Sequence, residues 1–352
     1  TLASTGNVIL TTAGTAGHVT IDNTTTALNA QGTVNGNLAL TSGGAITDSA
    51  VLTVSGTTTV TTDVADKAIT LNQLASTGNV SLNSSGTSGN AVVNNTTTAL
   101  GLAGSTIGGT LTAETDNSIT VNGTVTSAGT TSVSASDDVI FAAAGALASG
   151  NGNITVTADD DNTPAGTGGA ITMADGSTIN SGTGTITLSA DEDVALAGLT
   201  TTNATANAVA ITSDNGSITD GGDTNTDISA TNANAVVTLT AKTNIGLLNA
   251  DNVLVAPTNA LETAITNISA VITDATGDIA LDNTTSGVLT LNSVNPDADG
   301  TAALWIQNSN GITVGAGTWT INNNDSIALI ATAGNVTFPD GGAGVIDASG
   351  NL

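Results

Sequence analysis

A doublet of apolar residues one position apart, set among Thr, Asn, Ser and Gly, returns about every ten residues along the whole chain. It stands at Val8/Leu10, Val19/Ile21, Leu38/Leu40, Leu52/Val54, Ile69/Leu71, Val80/Leu82, Ile119/Val121, Ile154/Val156, Ile171/Met173, Ile186/Leu188, Val194/Leu196, Val209/Ile211, Ile279/Leu281, Ile312/Val314, Ile327/Leu329 and Val336/Phe338. Successive side chains on a strand point to opposite faces, so each doublet makes one dry face and leaves Thr, Ser or Ala on a wet one. A single such strand buries almost nothing. Only many copies stacked dry face on dry face give a continuous core. The pattern predicts an all-β chain, a β-solenoid, folded as one elongated domain over residues 1–352.

Between the doublets lie clusters of Gly, Asn, Asp and Ser at Thr12–Gly17, Ser84–Asn90, Gly150–Asn153, Asn162–Gly169 and Asp220–Asp227. These residue types take positive φ or cap their own backbone, as tight corners require. A helical period is missing, and the best helical candidate is the short stretch Pro257–Ile265.

A longer period overlies the short one. ASTGNV at Ala3–Val8 recurs at Ala75–Val80, and NTTTAL at Asn23–Leu28 recurs at Asn95–Leu100; both offsets are 72 residues. Over Ala3–Leu28 and Ala75–Leu100, 16 of 26 positions are identical, which marks a duplication with copies at 3–74 and 75–146. A degenerate third copy of part of it runs from Gly277 to Thr285, echoing Gly17–Thr25. Asn at like positions can stack into side-chain ladders, and Asn23, Asn95 and Asn283 are the candidates.

Charge removes several function classes. The cationic residues are Lys67 and Lys242 alone, against 29 acidic ones, for a formal net charge of −27. Phosphate contacts are made by Lys and Arg, so no nucleic-acid partner is expected, nor an anionic membrane surface. No apolar run is long enough to span a bilayer, so membrane insertion is not expected either. Charge of this sign keeps a Thr- and Val-rich β-protein soluble and suits a salt- or Ca²⁺-rich medium outside the cell. Cys is absent, so stacking alone must hold the fold.

Catalytic constellations are poor, and no enzyme is expected. With His18 as the one histidine and no Cys, a nucleophilic triad would rest on a position whose duplicate is Asn90; a solvent-facing polar role suits it better. A polysaccharide-active β-helix is the enzymatic rival. Its carboxylates would come from Asp137/Asp138, Asp159/Asp160/Asp161 or Asp191/Glu192/Asp193, but aromatic platforms and basic residues are scarce. Cation binding fits better. Asp159, Asp160 and Asp161, and separately Asn295, Asp297 and Asp299, crowd oxygen ligands as Ca²⁺ prefers, although the second stretch carries Ile306 where an EF-hand loop needs Glu. Acidic solvated turns are the plainer reading of both. No cofactor is required, and Ca²⁺ is the one candidate ion. Trp305 and Trp319 suggest a wider core or a cap near the end.

Stretches such as GTGTITLSADEDVALAGLTTT (Gly182–Thr202) and SDNGSITDGG (Ser213–Gly222) resemble the β-strand-repeat regions of large bacterial exoproteins, of the filamentous haemagglutinin and autotransporter-adhesin kind. The resemblance implies a right-handed parallel β-helix, extracellular or at the cell surface, serving as a stalk, adhesin or fibre. Two or three strands to a coil give roughly 12–18 coils at about 4.8 Å each. Neither end carries the Lys, Pro or helix that blocks strand addition. Self-association head to tail into a fibre or lattice is therefore the expected partnership, with a surface carbohydrate or host receptor as a further partner. The alternatives are a calcium-dependent adhesin passenger or an S-layer-like lattice protein.

Overall fold

The computed structural model describes residues 1–14, 16–159, 168–222, 224–248, 255–274, 277–295, 302–315 and 326–338, and the backbone alone at 319–321 and 346–348. Among them there is no helix, and the strands pair in parallel, each with a strand about one coil away in sequence. The fold is a β-solenoid of about 13 turns, arranged in two compact units, Thr1–Gly169 and Ala170–Leu352.

In the first unit every coil contributes to two stacks. One runs through Asn7–Thr11, Leu28–Val34, Ile46–Thr47, Ile69–Leu71, Ala91–Asn94, Leu111–Thr115, Thr131–Ala135 and Ile154–Ala158. The other runs through Val19–Asp22, Leu38–Ser42, Thr58–Thr62 and Val80–Asn83. From there each coil splits into two short strands, such as Ile119–Val121 and Thr124–Ser127. The second unit repeats the scheme. Its unsplit stack includes Ile186–Ala190, Val209–Ser213, Val237–Ala241, Asn267–Ile272 and Leu289–Asn295.

The doublets point inward. Leu38 and Leu40, Ile69 and Leu71, Ile119 and Val121, and Ile186 and Leu188 are all buried. In register they form columns, for example Leu188 on Ile211 on Leu239 on Ala270 on Val294. Eight of the five-residue strands carry a small third inward residue next to the corner: Ser42, Thr62, Thr115, Ala135, Ala158, Ala190, Ser213 and Ala241. Several of these hydroxyls serve the turn carbonyls; Thr115 Oγ1 donates to the carbonyls of Thr96 (2.8 Å) and Thr98 (2.7 Å). Where the residue is Ser or Thr, replacing it by an alkyl side chain would leave the turn carbonyl it serves without that partner.

Two expectations are corrected. Pro257–Ile265 is not helical: Leu261–Ile265 is a strand with Leu261, Thr263 and Ile265 inward, because their period of two lets them stack on Ile228–Ala230. The doublet Val336/Phe338 does not close a core, since Phe338 is 43% exposed just beyond the short strand Val336–Thr337. Trp305 is buried as expected of a wide core, but on the outer side of its strand. Leu304 and Ile306 fill the interior, and Trp305 joins Ala260 and Ala280 in a second apolar layer against Leu248, Ala328 and Ile330. The side chain of Trp319 lies outside the described residues.

The duplicated corners are built alike to the atom. Asn23 and Asn95 are fully buried. Asn23 accepts at Oδ1 from the Ser4 N–H (2.9 Å) and donates from Nδ2 to the carbonyls of Ser4, Thr26 and Ala27. Asn95 does the same with Ser76, Thr98 and Ala99. Each is followed by a threonine in the left-handed region, Thr24 at φ 49° and Thr96 at φ 50°. A β-branched residue is strained there. Its N–H is held by Oδ1 of Asp22 or Asn94, both at 2.8 Å. Asn23 and Asn95 are thus backbone-saturated plugs rather than rungs of a ladder. Asn283 is a rung: its Nδ2 donates to Oδ1 of Asn308 one coil on, at 2.9 Å.

The two copies do not sit on the same face. Three coils carry Leu28 through Ile46 and Ile69 to Ala91 within one stack, whereas the duplicate of Leu28, Leu100, lies in the other. The 72-residue offset therefore spans three and a half coils. The true repeating element is the half-coil of one strand and one corner, which explains the ten-residue rhythm.

Candidate metal centre

Most of the acidic side chains seen at corners act as acceptors for the neighbouring coil. Asp193 Oδ1 takes the Ser217 N–H (2.7 Å), Asp191 Oδ1 takes Nδ2 of Asn215 (2.6 Å), Asp138 Oδ1 takes the Gly169 N–H (3.0 Å), and Asp137 Oδ2 takes the Ser118 hydroxyl (2.8 Å). His18 belongs to the same class. Its Nδ1 accepts the Asn37 N–H at 2.9 Å, as Oδ1 of its duplicate Asn90 accepts the Thr110 N–H.

Asp48 is a buried member, with Oδ1 taking the Asn72 N–H (2.7 Å) and Oδ2 the Gln73 N–H (3.0 Å). Burial lifts its carboxyl above the ordinary 3.8, and the two N–H groups offset part of that rise. A folded-state value above the unfolded one means that the native chain holds this proton more tightly. The residue's contribution to stability is then full below pH 3.8 and is lost as pH rises through the elevated value. The unfolding free energy of Asp48→Asn, measured relative to wild type in urea at a series of pH values, should improve as pH rises from 3.8 through the elevated value and level off above it. A relative stability that falls over that range refutes the assignment.

Of the residues marked by sequence as oxygen clusters, Asp159 and Asn295 lie among the described ones. Asp159 is half-buried at a left-handed corner (φ 61°), its N–H on the Asp137 carbonyl. Asn295 ends the strand Leu289–Asn295, with its Oδ1 buried and accepting no hydrogen bond. Asp160, Asp161, Asp297 and Asp299 lie outside the described residues.

A different trio converges in the second unit. Val194–Leu196 and Gly198–Thr200 are separated by Ala197 alone, but the strands stacked on them, Ile218–Asp220 and Ile228–Ala230, are separated by a longer excursion. Its ends must therefore come back together. The Gly221 N–H binds the Leu196 carbonyl (2.8 Å) and the Leu199 N–H binds that of Asp227 (2.7 Å), which sets Asp220 and Asp227 side by side. On the next coil Leu261–Ile265 stacks on Ile228–Ala230 and lays Glu262 over Asp227. The two exchange hydrogen bonds: the Asp227 N–H to the Glu262 carbonyl (2.8 Å), and the Glu262 N–H to Asp227 Oδ2 (2.9 Å).

One carboxylate oxygen from each of Asp220, Asp227 and Glu262 lies within 4.8 Å of the others, the one such acidic grouping among the described residues. Asp227 is 1% exposed and Asp220 9%. Asp220 Oδ1 takes the Gly222 N–H (2.8 Å). Asp220 Oδ2, Asp227 Oδ1 and Glu262 Oε2 are buried and accept no hydrogen bond. A recess lined by Gly198, Asn225 and Thr226 opens beside this corner. The sequence marks Asp220–Asp227 as a corner, but Glu262 stands 35 residues beyond Asp227, inside the stretch read as helical.

No helix of the described residues is long and apolar enough to cross a membrane. Residues 16–83 match a family described as repeats of unknown function (DUF5649), a stretch that lies across the first copy of the duplication and the start of the second. No curated protein and no solved structure matches the chain. The chain is a repeat protein with a β-solenoid fold.

Proposed function

We propose that this chain is an extracellular structural protein, a β-solenoid rod that forms part of a cell-surface fibre, sheath or adhesin stalk, in the manner of the filamentous haemagglutinin-like and autotransporter-adhesin repeats it resembles. The observation that carries this reading is the equivalence of the half-coils. The corner at Asn23 is rebuilt at Asn95 with the same four hydrogen bonds in the opposite stack, so coil docks on coil through a generic surface that a second copy of the chain can also offer. A net charge of −27 suits a medium whose salt screens self-repulsion. The role is non-enzymatic: His18 and the acidic corner residues named above serve as acceptors for neighbouring backbone and side chains.

Negative-stain microscopy of the native chain, together with sedimentation over a concentration series, is expected to show slender particles that lengthen end to end as concentration rises. Compact particles that remain monomeric at the highest concentration would refute the proposal.

A further inference from the structure

We propose that Asp220, Asp227 and Glu262 form a binding site for a hard divalent cation of the Ca²⁺ class, which ties the excursion between Ile218–Asp220 and Ile228–Ala230 to the coil above it. This does not rest on the structural role proposed above. Three carboxylates whose oxygens lie within 4.8 Å repel one another strongly once burial removes the water between them. The protein has little with which to compensate. It has two Lys, one His and no Arg, and Lys242 donates its Nζ to Asn215 Oδ1 (3.1 Å).

The Gly222 N–H reaches Oδ1 of Asp220 and the Glu262 N–H reaches Oδ2 of Asp227, while Asp220 Oδ2, Asp227 Oδ1 and Glu262 Oε2 are buried and accept no hydrogen bond. Ca²⁺ binds oxygen ligands at about 2.3–2.6 Å, so ligands on opposite sides of the ion stand up to about 5 Å apart, the spacing found here. The set is all oxygen, which selects Ca²⁺-like ions over those that prefer nitrogen or sulfur.

The test uses the full chain at neutral pH, melted in EDTA, in millimolar CaCl₂ and in NaCl of matched ionic strength, beside Asp227→Asn/Glu262→Gln and the milder Glu262→Gln. For wild type, CaCl₂ should raise the melting temperature over EDTA by about 5 °C or more once free Ca²⁺ is about a hundred times the dissociation constant. NaCl should not reproduce the rise. In the double variant, relief of repulsion should hold the melting temperature in EDTA at or above that of wild type, and the Ca²⁺ increment should shrink. Equilibrium dialysis against CaCl₂ should show one tight site fewer in either variant.

An increment as large in the variants as in wild type would assign it to other acidic turns and overturn the proposal. So would an unresponsive wild type alongside variants that are more stable in EDTA, which would mean that the trio is neutralised by protons. A rise matched by NaCl would reduce the effect to screening and overturn it equally.

Discussion

Replacing Asn95 by Ala is expected to lower the unfolding free energy by roughly 4 kcal/mol. The amide is fully buried and makes four bonds to the main chain: it accepts from the Ser76 N–H and donates to the carbonyls of Ser76, Thr98 and Ala99. Alanine leaves those four groups facing a void. Each orphaned buried group costs about 1–3 kcal/mol, reduced to the extent that water can follow. Asn95→Asp preserves the shape but turns acceptor oxygens toward acceptor carbonyls, so it should rescue little. Equilibrium unfolding in urea decides the matter. A loss below about 1 kcal/mol for Ala would mean that the corner hydrates freely and that the plug is decorative.

Trp305 carries the second large effect, and its two variants should separate cleanly. Trp305→Ala removes the centre of the outer apolar layer formed with Ala260, Ala280, Leu248, Ala328 and Ile330, and should cost about 3–5 kcal/mol. Trp305→Phe should cost far less. Nε1 of Trp305 is buried and donates no hydrogen bond, so part of the volume lost is offset by removal of a desolvated donor. Both are read from urea melts. Equal losses for Phe and Ala would show that indole shape, rather than buried apolar area, holds the layer together.

The doublets were enough to find most of the core, because a period of two leaves no choice of face once stacking is required. Strands with a single inward apolar residue were not legible. Thr178–Asn180 turns only Ile179 inward, and Gly198–Thr200 only Leu199. Such segments look like turns until a neighbour supplies their ladder. The inward Ser and Thr at strand ends leave no mark in the doublet pattern, because their partners are corner carbonyls that no pattern of side chains reveals. Trp305 was visible as part of an apolar run, Leu304-Trp305-Ile306, and continuous apolarity in a strand signals burial on both faces. What could not be read was which segment covers the outer one.

The acidic trio was illegible for a geometric reason. Pairing across a solenoid follows coil length. Leu111 to Thr131 and Thr131 to Ile154 advance by 20 and 23 residues. From Val237 to Ile268 the step is 31. Asp227 and Glu262 meet across one of these lengthened coils, so a fixed period would have set Glu262 beside the wrong neighbour. The oxygen clusters that were contiguous in sequence were the easy ones to notice. The grouping that assembles depends on register.

The half-integral spacing of the duplicated corners has one further consequence. Within the first unit, the corner at Asn23 and its copy at Asn95 fall on opposite stacks, so the same docking motif is presented half a turn apart. If copies add end to end as proposed, such a motif offers them two azimuths, and fidelity of helical phase then rests on the places where the copies differ, such as His18 against Asn90.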